Sequence, residues 1–213
     1  MESTLTTILA AAMLLVALYM TSRMRLGALV FAFRFQSVLL ALLALTMAYY
    51  LQDWQLVAVA VLIVGIKAVL IPTFLMRAAR GSGASERLTS YVRPTTLSGL
   101  SLLVVLCAFF AAGRLMPLGT DYIILAASLS IVLMGLILLV SRKDMFGEGI
   151  GFFVMENGIF TFGLVLTHGM PFLFEIGALF DLLAFFILIT VFTRRAQDEH
   201  ASVDTNLLRT LVD

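Results

Sequence analysis

Apolar residues run through this chain in seven blocks, at 4–21, 26–51, 54–76, 96–112, 121–140, 147–167 and 171–193, with polar and charged residues gathered in the short links between them. Each block approaches the roughly 20 residues that a helix needs to cross a hydrocarbon core about 30 Å thick. The pattern predicts an all-α polytopic membrane protein with seven transmembrane helices.

The charges in the links orient the spans. Arg23 and Arg25, then Arg77, Arg80, Arg87 and Arg93, then Arg142 and Lys143, then Arg194, Arg195 and Arg209 all fall on one side. The other side receives Arg114 together with Glu2, Asp53 and Asp121. Basic residues collect in cytoplasmic links, so the N-terminus is expected outside and the C-terminus in the cytoplasm. The first block follows Glu2 and precedes Arg23, the reverse of a secretory signal's basic start, and is read as a retained span. The longest link, 78–94, contains RGSGASER and reads as a mobile cytoplasmic loop. It separates a three-helix unit, 1–77, from a loop and connecting helix, 78–118, a second three-helix unit, 119–196, and a tail, 197–213.

Composition agrees with the pattern. Apolar residues make up 62% of the 213 and charged residues 13%, and the mean hydropathy is +1.07, which excludes an ordinary soluble domain. The single cysteine, Cys107, supports neither a disulfide framework nor a metal or iron–sulfur site, and inside an apolar block it reads as a small core side chain. There is no pair of intramembrane histidines for haem and no phosphate-binding glycine loop. No cofactor is expected on this chain, and no nucleic-acid partner.

Against this background three ionisable residues stand out within the blocks. Glu156 lies nine residues into the sixth block and Asp181 ten into the seventh, depths of about 14 and 15 Å at 1.5 Å per residue. Lys67 is ten residues before Arg77, again about 15 Å from the basic side. All three therefore share a plane near the bilayer centre. An ionisable group there is expensive unless it is paired, neutral or facing water, and is by default functional. Burial favours the neutral form of an acid or amine while an opposite charge favours the charged form, and that competition lets a moving charge switch a proton on or off. The simpler alternative is that Lys67 neutralises one acid and fastens helices together. With two acids, one lysine, and Gln36 and Asn157 available to hold water, a hydrated proton-transfer path through Asp181, Glu156 and Lys67 is favoured.

Other polar residues carry weaker signals. Arg34 sits seven residues past Gly27, where it either snorkels to the headgroups or lines the cytoplasmic entrance. Glu175, four residues after Pro171, is near the outer surface, with structural or exit-side roles equally open; His168, in the outer turn HGMP, is solvated or releases protons. Gly147, Gly149, Gly151 and Gly158 either let helices approach closely or permit a local distortion near Glu156.

An internal duplication is also readable. SRMRLGALVFAFRFQSVLLALLAL, from Ser22, aligns with SRKDMFGEGIGFFVMENGIFTFGLVL, from Ser141; nine residues after Gly27 and Gly147 come Gln36 and Glu156, and the next helix of each set carries Lys67 or Asp181. Helices 1 to 3 and 5 to 7 would form a parallel repeat joined by helix 4.

The last three blocks, with VMENG around Glu156, an acid at Asp181 and the ending TRRAQDEHASVDTNLLRTLVD, resemble the three-helix K-type membrane subunit of respiratory complex I. In that family both intramembrane acids belong to a central polar axis that conducts protons, which implies the same role for Glu156 and Asp181. The second acid here is Asp where that family usually has Glu, so its reach is shorter. The whole chain, through FRFQSVLL, GIKAVLIPTFLMRAAR, MENG, EIGALFDLLAFF and DTNLLRTL in order, more closely resembles component E of hydrogenase-4 type formate hydrogenlyase complexes. That resemblance implies a place in the cytoplasmic (inner) membrane, beside antiporter-like ion-translocating subunits and an H-type membrane anchor. It also implies a peripheral hydrogenase-like arm whose own subunits carry the nickel–iron centre and iron–sulfur clusters. Two other classes stay open: a small subunit of a multi-subunit cation/proton antiporter, and a structural assembly subunit. The antiporter subunits generally hold the three-helix unit alone, so the first four blocks and Lys67 count against that class.

Overall fold

The computed structural model describes residues 2–81, 86–115, 120–166 and 177. Six helices occupy the described residues: α1 (Glu2–Thr21), α2 (Leu26–Leu51), α3 (Trp54–Gly81), α4 (Pro94–Leu115), α5 (Thr120–Ser141) and α6 (Met145–Leu166). None of the described residues forms a strand. The first five helices are long and apolar enough to cross a membrane, which makes this a multi-pass membrane protein. Helix α6 is as long as α4 and α5, and it carries Glu148, Glu156, Asn157 and five glycines along its length. Apart from Gly177, the seventh predicted span lies outside the described residues.

Packing explains how α6 tolerates that composition. It forms a hairpin with α5 and also meets α2, while α1 packs on α2 and α5. Helix α6 is buried around most of its circumference, with exposure confined to residues such as Ile159 and Phe162. Such a helix presents its polar residues to neighbours instead of lipid. Helix α4 is the least buried, with Leu102, Leu103, Leu106 and Phe110 turned outward. Cys107 shares that exposed surface instead of filling the core as its sequence context predicts. The reason is that α4 is peripheral, and an evenly apolar helix does not reveal its inner face in its pattern.

For Gly151 and Gly158 the packing of α6 on α5 answers the question left open by sequence. A Cβ on Gly151 would collide with the backbone of Leu139, one on Gly158 would meet the Val132 nitrogen at 2.7 Å, and one on Gly135 would collide with the backbone of Met155. They serve close helix approach, and α6 keeps regular α-helical geometry through Glu156. The distortion is on α3, where residues Ile63–Leu70 form a π-helix and the Ile71 N–H bonds to the Ile66 carbonyl five residues back. Pro72 follows immediately; lacking an N–H, it cannot close the ordinary α-helical bond to residue 68.

The basic turns meet at one end of the bundle. Residues 86–91, predicted as part of a mobile loop, are instead pinned. Leu26 N–H bonds to the Glu86 carbonyl at 3.0 Å and Leu88 N–H to the Met24 carbonyl at 2.7 Å. On the other side Tyr91 N–H reaches the Ser141 carbonyl at 2.9 Å, and Lys143 N–H the Thr89 carbonyl at 3.1 Å. The segment thus laces the α1–α2 turn to the α5–α6 turn. Arg142 is buried beneath it at 1% exposure, donating to the Arg23 carbonyl at 2.7 Å and to the Met24 sulfur. Burial lowers its pKa from the ordinary arginine value, and the charge of Asp144 partly offsets that shift.

Candidate functional site

Helical rise brings the predicted polar plane together. Lys67 is thirteen residues from the start of α3 and fourteen from its end, and Glu156 is eleven and ten residues from the ends of α6. Lys67 is 0% exposed and Glu156 6%. The Lys67 ammonium nitrogen lies 3.2 Å from Glu156 Oε2, and donates to Asn157 Oδ1 at 3.2 Å. It also stands 4.3 Å from the centroid of the Phe160 ring, a cation–π contact. A carboxylate, an amide oxygen and an aromatic face therefore converge on one ammonium group in the middle of the bundle.

The network continues from α6 into α2 and α1. Asn157 Nδ2 donates to Gln36 Oε1 at 3.1 Å, and Gln36 Nε2 donates to the Met13 carbonyl at 3.2 Å. Gln36 and Asn157 are both fully buried. Each bond fixes the next: the Met13 carbonyl accepts only from the amide nitrogen of Gln36, which turns the Gln36 oxygen to Asn157. That turns the Asn157 oxygen to Lys67. Gln36 and Asn157, expected as water-holding groups, are thus in direct contact and orient the lysine's partner. Gln36→Leu removes this orientation and leaves the Asn157 amide N–H without its acceptor. The expected loss is about 1–3 kcal/mol of stability, measured as thermal unfolding in detergent micelles.

Aromatic rings close the cluster toward the basic end. Phe33 and Phe153, both fully buried, stack with centroids 5.6 Å apart. Each lies three residues before a member of the cluster, Gln36 or Glu156, on the side of the basic turns.

The remaining predicted residues divide clearly. Arg34 is exposed on α2 and is not brought to the cluster, because two residues along a helix turn it about 200° away from Gln36. Asp181, Glu175 and His168 lie outside the described residues. Sequence reasoning did not single out Phe33, Phe153, Phe160 or the π-helical turn under Lys67; Pro72 was the available signal for the last of these.

Fold and cluster define a helical multi-pass membrane protein in which a buried ion pair at mid-span is held by an amide relay across four helices. Over 147 residues, 68% of this chain and 68% of the relative, it is 29% identical to hydrogenase-4 component E of Escherichia coli (strain K12), and it matches the protein of that name from Shigella flexneri to the same extent. The resemblance to hydrogenase-4 component E read from the motifs is thereby shown over those 147 residues. An uncharacterized protein of Mycobacterium tuberculosis is 28% identical over 210 residues, covering 96% of this chain and 94% of that one. No family model and no solved structure matches the chain.

Proposed function

We propose that this chain is a non-catalytic integral membrane subunit of an energy-converting, hydrogenase-type complex, and that Lys67, Glu156 and Asp181 carry protons across its middle plane. The observation that carries the reading is the Lys67–Glu156 pair, 3.2 Å apart and buried at mid-span. A purely structural clasp needs no ionisable partners at such depth, where charges are expensive and are retained for ion or proton movement. The likeness to hydrogenase-4 component E supplies the setting. In this reading the Lys67–Glu156 pair is one stable charge state. A charge shift in a neighbouring subunit weakens the pair, releases or admits a proton at Glu156, and hydration past Phe33 and Phe153 connects it to the basic side.

The same proposal includes seven spans, with 171–193 as the last, the basic turns facing the cytoplasm of an inner membrane, and units at 1–77, 78–118, 119–196 and 197–213. The meeting of the basic turns at one end supports that orientation. A parallel repeat of helices 1 to 3 and 5 to 7 is supported by the way Gln36 of the first set faces Asn157, next to Glu156, of the second. The partners proposed are antiporter-like membrane subunits, an H-type anchor and a peripheral arm carrying nickel–iron and iron–sulfur centres.

Affinity purification of the tagged chain from gently solubilised membranes tests this. Soluble subunits with iron–sulfur absorption are expected to copurify, and inverted vesicles are expected to take up protons when the electron donor is supplied. Sodium flux without any redox partner would move the chain to the cation/proton antiporter class.

A further inference from the structure

At the end of the bundle opposite the basic turns, α2 stops at Leu51 and α3 begins at Trp54, so the chain reverses within two residues. Gln52 makes the reversal in the left-handed region at φ 54°. Asp53 caps α3 by accepting from the Gln55 N–H at 2.9 Å. A cavity of about 220 Å³ opens there, with Leu45, Ala48 and Val57 as its apolar wall and Tyr49, Asp53 and Trp54 at its rim. Tyr49 is 72% exposed and Trp54 84%.

We propose that this cavity binds the ammonium head of an amine-bearing phospholipid, with the cation between Tyr49, Trp54 and the Asp53 carboxylate and an acyl chain along Leu45 and Val57. Three features select that ligand. The cavity lies where two spans end, at headgroup depth, the level at which Tyr and Trp rings settle. Exposed aromatic faces attract cations, and ammonium groups in particular. Asp53 has no ion-pair partner among the described residues, while Arg114, at the end of α4, is over the Phe110 ring. The positive end of α3 offsets about half a charge, so the site remains net negative and disfavours an anionic head. Its preference is correspondingly modest, about fivefold in relative occupancy for an exposed carboxylate plus cation–π contact.

Trp54 is the single tryptophan of the chain, so its fluorescence reports this site. The purified full chain is reconstituted in vesicles of equal phosphatidylethanolamine and phosphatidylglycerol, in which one lipid or the other carries brominated acyl chains. Quenching is expected to show about fivefold greater occupancy by the brominated phosphatidylethanolamine. Asp53→Asn keeps a competent helix cap and removes the charge, so it is expected to abolish the preference while leaving the unquenched emission unchanged. Equal quenching by the two lipids in the parent chain overturns the proposal and leaves the cavity to ordinary lipid contact or to a cationic side chain of a protein partner. A preference that survives in Asp53→Asn overturns it as well, because the carboxylate then selects nothing.

Discussion

Replacing Glu156 by Gln is expected to abolish donor-driven proton uptake while the chain still assembles. The substitution is nearly isosteric, so it keeps the volume beside Lys67 and an oxygen within reach of the ammonium. What it removes is the carboxyl group, the one part of this side chain able to take and give a proton. A side chain positioned for proton transfer contributes about 10²–10⁴ in rate, so uptake per donor turnover should fall by about a hundredfold. The measurement uses inverted vesicles, with assembly verified in the same membranes and donor turnover followed in parallel. Turnover that continues without uptake places Glu156 in the path. Uptake at the parental rate would make the 3.2 Å pair a structural clasp and move the chain to the assembly class. The companion variant Gln36→Leu separates the two roles, since it disturbs orientation of the ion pair without touching an ionisable group.

Depth was legible in the sequence; azimuth was not. The second helix was predicted at 26–51 and runs Leu26–Leu51, because Arg25 and Gln52–Asp53 punctuate it. Counting residues from the basic ends was enough to place Lys67 and Glu156 in one plane. Which of two acids Lys67 would face required knowing how α3 and α6 rotate about their axes. A helix that is apolar on all sides carries no binary pattern to say so, and for that reason Arg34 and Cys107 were also left with open or wrong directions. The π-helix at Ile63–Leu70 escaped for a related reason: the run IVGIKAVL suits α and π hydrogen bonding alike, and the bias comes from Pro72 two residues beyond it. Arg142 was read only as one of the basic link residues that orient the spans. It is buried because the 86–91 segment folds over it, a long-range contact between links more than fifty residues apart that no local pattern encodes.

Gly135→Leu is expected to have the largest effect on stability, because α5 and α6 touch there at backbone distance. Any Cβ at position 135 collides with the Met155 backbone, and a backbone cannot move aside as a side chain tip does. The two helices must separate or rotate. Overpacking of a closed interface costs about 1–3 kcal/mol and occasionally more; with rigid backbone on the receiving side, about 3 kcal/mol or above is expected here. The consequence reaches the polar cluster, since Met155 precedes Glu156 and Asn157 on the same helix. Shifting α6 away from α5 moves both side chains relative to Lys67 and Gln36, which are held by α3 and α2. The variant should therefore lose folded protein on size-exclusion chromatography in detergent, and any remaining fraction should show impaired proton uptake. Gly27→Leu is the control: a Cβ there meets nothing within 4 Å, so a bulky residue should leave both yield and uptake close to the parent. Equal tolerance at positions 135 and 27 would show that α5 and α6 do not approach as closely as their glycines imply, and the placement of Glu156 and Asn157 toward α2 and α3 would lose its mechanical support.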